Sequence, residues 1–277
     1  MTRLGRLKTI QFNGQRVHCL DRPEARAVAR QAGRYFEVFQ FTRSNPVLVD
    51  VGAHVGLFTL EALRRYPEGR IYAFELSPIT YALYLLNTFA MSDRIKPHNL
   101  GLADRHAEVT FNYFPLLPSM SSLVVQSDAI AAVDSAVQML GMPKSDFYRY
   151  RYLRLLPRPM LRWLLGLFIR RYFRAVKQSG QVTTLSAQIE SWGIQQIDLL
   201  KVDVEGAEEQ VLDGIADPHW ALIQRVALEI HDIEGRVARL ERQLEDKDFT
   251  ILDQQHEGIG LSGEDIVVLF AQRRSLA

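Results

Sequence analysis

Two carboxylates, Asp203 and Glu205, end the apolar run of Ile197, Leu199, Leu200, Val202 and Val204, and Gly206 follows at once. Such a run suits a strand buried on both faces, and acids at its carboxyl end stand where open α/β sheets bind ligands. Gly206 permits a tight turn, and Ala207, Val211 and Ile215 recur at helical spacing, so a helix packs back against the sheet. Glu229 and His231 close a second run, VALEI at 226–230, and their spacing of two sends both to one side of that strand. An imidazole titrates near neutral pH, which makes His231 the best general-base candidate of the seven histidines. Glu205 or Asp203 could fix its tautomer and raise its basicity. Taken alone, the same histidine would only cap a strand. A divalent metal held by Asp203, Glu229 or His231 would be another way to acidify a hydroxyl, although the site is expected to need none.

A second group of residues points to a nucleoside. Asp50, Val51, Gly52, Ala53, His54, Val55 and Gly56 follow the run VLVDV and precede a helical pattern, the position of a nucleotide-binding turn. A dinucleotide turn calls for G-x-G-x-x-G, whereas only Gly52 and Gly56 are present, and Asp50 sits at the strand end. An unpaired carboxylate there would repel a pyrophosphate and attract a sulfonium and an α-ammonium. The turn of Gly52, Ala53 and His54 is therefore expected to hold S-adenosylmethionine, with His54 as a loop residue inside it. Glu75, at the end of IYAFE, can accept both hydroxyls of a ribose, a requirement shared by NAD sites. Asp104 could reach an adenine amino group or be a solvated turn residue.

These residues need a sheet to position them. The Asn13-Gly14 pair marks a hairpin within 8–20, and Pro23 leads a helical pattern over 22–35. From residue 46, strands and helices alternate: VLVDV, helix 57–66, IYAF, helix 79–91, then short strands near 96–100 and 108–113. The alternation resumes with strand 197–204, helix 207–215, strand 226–230, helix 234–247 and a closing pair at 249–253 and 265–271 joined by a glycine-rich turn. This pattern predicts an α/β fold with a mostly parallel sheet and a C-terminal antiparallel hairpin. It gives one domain: an N-terminal cap (1–45), a cofactor-binding half (46–114), an insertion (115–180) and a catalytic half with the closing hairpin (181–277). Between 149 and 174 the insertion carries eight arginines and no acid. It reads as a helical lid with Leu161, Leu164, Leu165 and Phe168 toward the site, or as a basic surface for a membrane or an acidic partner.

Composition removes several classes. A chain of 277 residues, 47% hydrophobic, can bury one large core, and a net charge of +1 gives no global case for nucleic-acid binding. Cys19 is the single cysteine, so no internal disulfide or cysteine-built zinc site forms, and a cytoplasmic location is expected. Neither a signal-peptide core nor a transmembrane run is legible.

With these motifs assembled, the chain resembles the FkbM family of S-adenosylmethionine-dependent methyltransferases. The likeness rests on LVDVGAHVGLFTL, on AFELSP followed by Asn87, on IDLLKVDVEGAEEQVLDGI and on VALEIH, covering about 47–101 and 183–231. It implies a Rossmann-like class I methyltransferase fold with a seven-stranded sheet. It also implies O-methylation of a hydroxyl on a polyketide, peptide or sugar-derived natural product. Asp50, Gly52 and Glu75 would then bind the cofactor, and Asp203, Glu205 and His231 would line the transfer site. The acceptor would be a free small molecule or one tethered to an acidic carrier protein that docks on the basic insertion. The competing expectations are a nicotinamide-dependent oxidoreductase and a non-catalytic binding module on the same fold.

Overall fold

The computed structural model describes residues 7–115, 117–121, 137, 140, 146–172, 175–259 and 264–276. The chain opens with a hairpin, β1 (Lys8–Phe12) and β2 (Gln15–Cys19), turned at Asn13 and Gly14, both at positive φ. α1 (Arg22–Gln31) starts at Asp21, whose carboxylate caps the Glu24 N–H. The sequence pattern predicts one helix to residue 35. The chain instead breaks around Gly33, a poor helix former, and a single turn, α2 (Tyr35–Val38), follows.

The alternating stretch then gives β3 (Val47–Val51), α3 (Leu57–Arg65), β4 (Arg70–Phe74), α4 (Pro78–Thr88), β5 (Ile95–His98), β6 (Gly101–Leu102) and β7 (Ala107–Tyr113). After the insertion, with its helix α5 (Arg158–Tyr172), come β8 (Val176–Thr183), α6 (Leu185–Trp192), β9 (Leu199–Val202), α7 (Glu208–Asp213) and α8 (Asp217–Trp220). β10 (Arg225–Asp232), α9 (Arg236–Asp246), β11 (Phe249–Ile259) and β12 (Asp265–Arg273) complete the chain. Seven strands form one sheet in the order β11-β12-β10-β9-β3-β4-β5. β10 through β5 run parallel, and β12 is antiparallel to both neighbours, closing the sheet as the sequence pattern predicts. The turn of that hairpin, 260–263, lies outside the described residues.

Period-two alternation divides the core. Val49, Val51, Leu200, Val202, Val226 and Leu228 join one buried cluster, while Leu48, Leu199, Ala227, Val268 and Phe270 join another. The two clusters fill opposite faces of the same sheet. Chain order reverses between β3, which leads out to β4 and β5, and β9, which leads out to β10. Ligands of doubly wound sheets bind in the crevice that such a reversal opens at the carboxyl ends.

The insertion departs from the sequence pattern at its end. Val176–Thr183 (VKQSGQVT) carries few apolar residues and gives no strand signal, yet it pairs antiparallel with β7 from Ala107 to Tyr113. β6, β8 and β7 thus make a separate three-stranded sheet, so β7 lies outside the main one. Of the four residues expected to face the site from α5, Leu161 and Leu165 are buried, Leu164 is exposed, and the Phe168 side chain lies outside the described residues. No helix among the described residues is long and apolar enough to cross a membrane.

Candidate active site

β3 ends at Val51 and the backbone turns through Gly52 at φ +77°. The Gly52 and Ala53 N–H groups both donate to the Phe74 carbonyl at 3.0 Å, which pins this turn to the end of β4. A Cβ on Gly52 would lie 1.7 Å from the Asp203 carbonyl oxygen, so the β3 turn and the exit of β9 touch backbone to backbone, and only glycine fits. Across this junction lies Lys201, the register partner of Asp50. Its ammonium donates to Asp50 Oδ1 at 3.1 Å and to the Gly52 carbonyl at 3.0 Å, and stands 3.4 Å from Asp203 Oδ2.

Asp50 therefore differs from its expected state. It is completely buried, paired with Lys201, and accepts a second bond from the Thr59 hydroxyl at 3.2 Å. The premise of an unpaired carboxylate drawing a cationic ligand does not hold for it. Lys201 escaped the sequence reading; the signal that could have found it is one cation inside the wholly buried LLKV, which needs an acid beside it.

Beyond the junction a cavity of about 360 Å³ opens at the carboxyl ends of β3, β4, β9 and β10. Glu24, Glu75, Asp203, Glu205 and Glu229 line it, with Gly52, His54 and His231. Among the described residues, five acids and no lysine or arginine contribute to its wall. Glu75 takes the His54 N–H on Oε2 at 2.9 Å and the Ser77 N–H on Oε1 at 2.8 Å. Those two bonds fix the carboxylate at the end of β4, while burial pushes its pKa up to about 7. Ala53 is buried and absent from the wall. Asp104 is exposed, paired with the adjacent Arg105 at 3.0 Å, and it too lies outside the wall; Gly101 and Leu102 line the cavity on that side. The solvated-turn reading of Asp104 is the one the geometry matches.

At the opposite end, His231 sits between two carboxylates. Nε2 is 3.0 Å from Glu205 Oε2 and Nδ1 is 3.1 Å from Glu264 Oε1. Burial alone would lower its pKa, but the hydrogen bonds to Glu205 and Glu264 outweigh it and carry the value up to about 11. Both ring nitrogens thus face carboxylates, which favours the charged ring. From the sequence His231 reads as the general base; the geometry also lets it serve by holding the Glu205 carboxylate in place. Glu205 is the group next to it with acceptor chemistry, and burial raises its pKa.

The loop that carries Glu205 is strained. Glu205 has φ +54° and His54 φ +50°, in the left-handed region where non-glycine residues are uncommon. Both line the cavity. The Gly206 N–H donates to Glu208 Oε1 at 2.7 Å, and Arg236 binds both Glu208 Oε2 at 3.2 Å and the His231 carbonyl at 2.9 Å. This buried Arg236–Glu208 pair ties the exits of β9 and β10 together. Glu229 is held by Arg34, at 2.6 Å, and Arg34 also pairs with Glu257 on β11. Burial and the nearby Asp203 push Glu229 up to about 7.

Several of these groups escaped the sequence reading. Glu264 lies 33 residues from His231 beside a glycine-rich turn, so no local pattern joins them. Glu24 lies on α1, in the segment read only as an N-terminal cap, yet it is buried against the cavity and accepts the Ser119 N–H at 2.6 Å. Of the insertion, Pro118, Ser119 and Ser121 line the cavity; among the described residues none from α5 does.

The sequence model described as the methyltransferase FkbM domain matches residues 50–253. Methyltransferase sdnD of Sordaria araneosa is 33% identical over 225 residues, which cover 77% of this chain and 77% of that protein. The 31-O-demethyl-FK506 methyltransferase FkbM of Streptomyces tacrolimicus is 27% identical over 213 residues, 77% of this chain and 76% of that one. Among solved structures, Methyltransferase FkbM from Methylobacillus flagellatus KT aligns with a TM-score of 0.52 at 13% identity. It covers 86% of this chain and 47% of that chain, a likeness of fold.

Proposed function

This chain belongs to the FkbM methyltransferase family, and we propose that it is an S-adenosylmethionine-dependent O-methyltransferase acting on a hydroxyl of a natural-product acceptor. The observation that carries this reading is the cavity wall at the carboxyl ends of four strands, where, among the described residues, five acids and two histidines but no lysine or arginine contribute. Such a wall suits a ligand bearing a sulfonium and an ammonium and disfavours a pyrophosphate. The residues fit the cofactor. Glu75, held by two backbone N–H groups, would accept the ribose hydroxyls, and the Gly52 turn would lie along the nucleoside. Asp50 would act at one remove, by fixing the lysine that staples that turn. When bound, S-adenosylmethionine supplies a methyl group on a cationic sulfur, open to in-line attack.

The chain's own residues then handle the acceptor. Glu205 takes the hydroxyl proton on its carboxylate, a contribution of about 10²- to 10⁴-fold for a well-placed base. Its raised pKa brings it closer to the operating pH than an ordinary carboxylate. His231, donating to Glu205 at 3.0 Å, holds the carboxylate and stays protonated throughout. Asp203, beside the lysine staple, orients the hydroxyl. Pro118, Ser119 and Ser121 form the part of the acceptor wall that the insertion supplies. Its arginines offer a docking face for an acidic carrier when the acceptor is tethered.

Both relatives above are named methyltransferases, and the name of one specifies 31-O-demethyl-FK506. Calorimetry with S-adenosylmethionine, S-adenosylhomocysteine and NADH tests the cofactor. Micromolar binding of the first two alone is expected, and binding of NADH alone would overturn the reading. A product screen with hydroxylated acceptors then tests the reaction.

A further inference from the structure

The family match begins at residue 50, yet Glu24, on α1, reaches the same cavity from outside it. Its side chain is buried and accepts the Ser119 N–H at 2.6 Å. Facing it is His54, from the turn after β3. Nδ1 and Nε2 of His54 are both shielded from solvent, and neither has a hydrogen-bond partner among the described residues. The nearest carboxylate oxygen is Glu24 Oε1, 3.7 Å from Nε2, beyond bonding distance. A buried imidazole with two idle nitrogens beside a buried carboxyl costs free energy unless a ligand completes them. On the other side of the same turn, the His54 N–H holds Glu75, the carboxylate assigned to the ribose. The His54 ring and Glu24 therefore stand one turn away from the nucleoside end.

We infer that Glu24 and His54 form the station for the α-amino-acid end of the cofactor, with the ammonium on Glu24 and the carboxylate on a His54 ring N–H. This rests on the cofactor reading above and adds a residue from the N-terminal cap. The chemistry is complementary. A neutral imidazole has one donor and one acceptor, which match the carboxylate and ammonium of a zwitterion. Burial keeps His54 neutral by lowering its pKa to about 4. Burial also pushes Glu24 up to about 8, so an arriving ammonium displaces the proton Glu24 holds at neutral pH. α1 becomes a cover that closes on the cofactor's tail.

The experiment compares two nucleosides in calorimetry: S-adenosylhomocysteine, which carries the amino-acid end, and 5′-methylthioadenosine, which lacks it. The wild-type protein is expected to prefer the first by about 100-fold, the scale of two hydrogen bonds involving charged groups. Glu24→Gln should cut that preference at least about tenfold, leaving the 5′-methylthioadenosine Kd within about twofold, which also shows that the site is folded. His54→Ala should reduce the preference in the same sense. An unchanged preference in Glu24→Gln overturns the assignment, as does equal weakening of both nucleosides. If the wild-type protein binds neither, the cofactor reading itself falls, and the assignment with it.

Discussion

Two acids leave neighbouring strands at one end of the sheet and meet opposite fates. Asp50, on β3, is completely buried, bonded to Lys201 and Thr59, and closed off from the cavity. Glu205, just past β9, is bonded to a histidine but forms part of the cavity wall. Both pairs oppose charges across a short distance. What separates them is access, because one pair is sealed between strand and helix while the other borders space that a substrate can enter. A carboxylate at a strand end is therefore structural or chemical according to what else shares its pocket.

Removing the cation of the sealed pair should have the largest effect. Lys201→Met leaves Asp50 buried with no countercharge and frees the Gly52 carbonyl. The expected loss is about 3–5 kcal/mol, read by chemical denaturation. Asp50→Asn combined with Lys201→Met should be less damaging than Lys201→Met alone, since no uncompensated charge remains. Equal damage would mean that Lys201 acts through packing on Phe58, whose ring centre is 5.8 Å from its ammonium.

The open pair predicts the reverse pattern. Glu205→Gln keeps the shape and the tolerated backbone but removes the base, so kcat should fall about 10²- to 10⁴-fold while S-adenosylhomocysteine binds as before. His231→Asn should lower kcat less, and raising the pH should not restore it, because the histidine positions a base and is not the base. A His231→Asn variant that loses as much kcat as Glu205→Gln would contradict this division.

The same contrast explains what could be read in advance. Strand order and hairpin closure followed from runs such as VLVDV and LLKV, whose burial on both faces leaves little freedom. The cluster of Gly52, Glu75, Asp203, Glu205, Glu229 and His231 was legible because each lies at or just past a strand end. State of charge was not legible. Whether Asp50 has a partner depends on Lys201, 151 residues away. Whether His231 can accept a proton depends on Glu264, contributed by a different strand connection. The β8 strand escaped because VKQSGQVT packs on a small sheet through alternate residues of modest size, a surface that leaves no apolar period.

Buried carboxyls in and beside the cavity also predict a pH dependence of stability, smaller than either substitution. Glu24 is raised to about 8, and Glu75, Glu208 and Glu229 to about 7, all through burial first. A carboxyl whose folded pKa exceeds its unfolded value favours the fold fully below about 4.5, and that contribution is lost as pH rises through 7 to 8. His231, raised to about 11, acts in the same direction above 6.5; His54, lowered to about 4, opposes it below 6.5. The raised carboxyls outnumber the two lowered imidazoles, His54 and His98, so Tm of the ligand-free protein should drop by several degrees between pH 5 and 8. S-adenosylmethionine should flatten that slope and release protons on binding, which calorimetry in buffers of different ionisation heat measures. A Tm that rises over this range would show that the wall acids are solvated.

The smallest expected effect belongs to Asp104, an acid near a strand end that neither region claims. Its partner is the exposed Arg105, and an exposed pair of this kind contributes little because water screens it. Position alone would have joined it to the adenine, yet the cavity wall on that side consists of Gly101 and Leu102. Asp104→Asn should leave S-adenosylhomocysteine affinity within about twofold, since no buried group loses its partner. A tenfold loss would place the adenine amino group outside the wall described, and would make access after ligand closure, not access in the free protein, the property that decides which acids do chemistry.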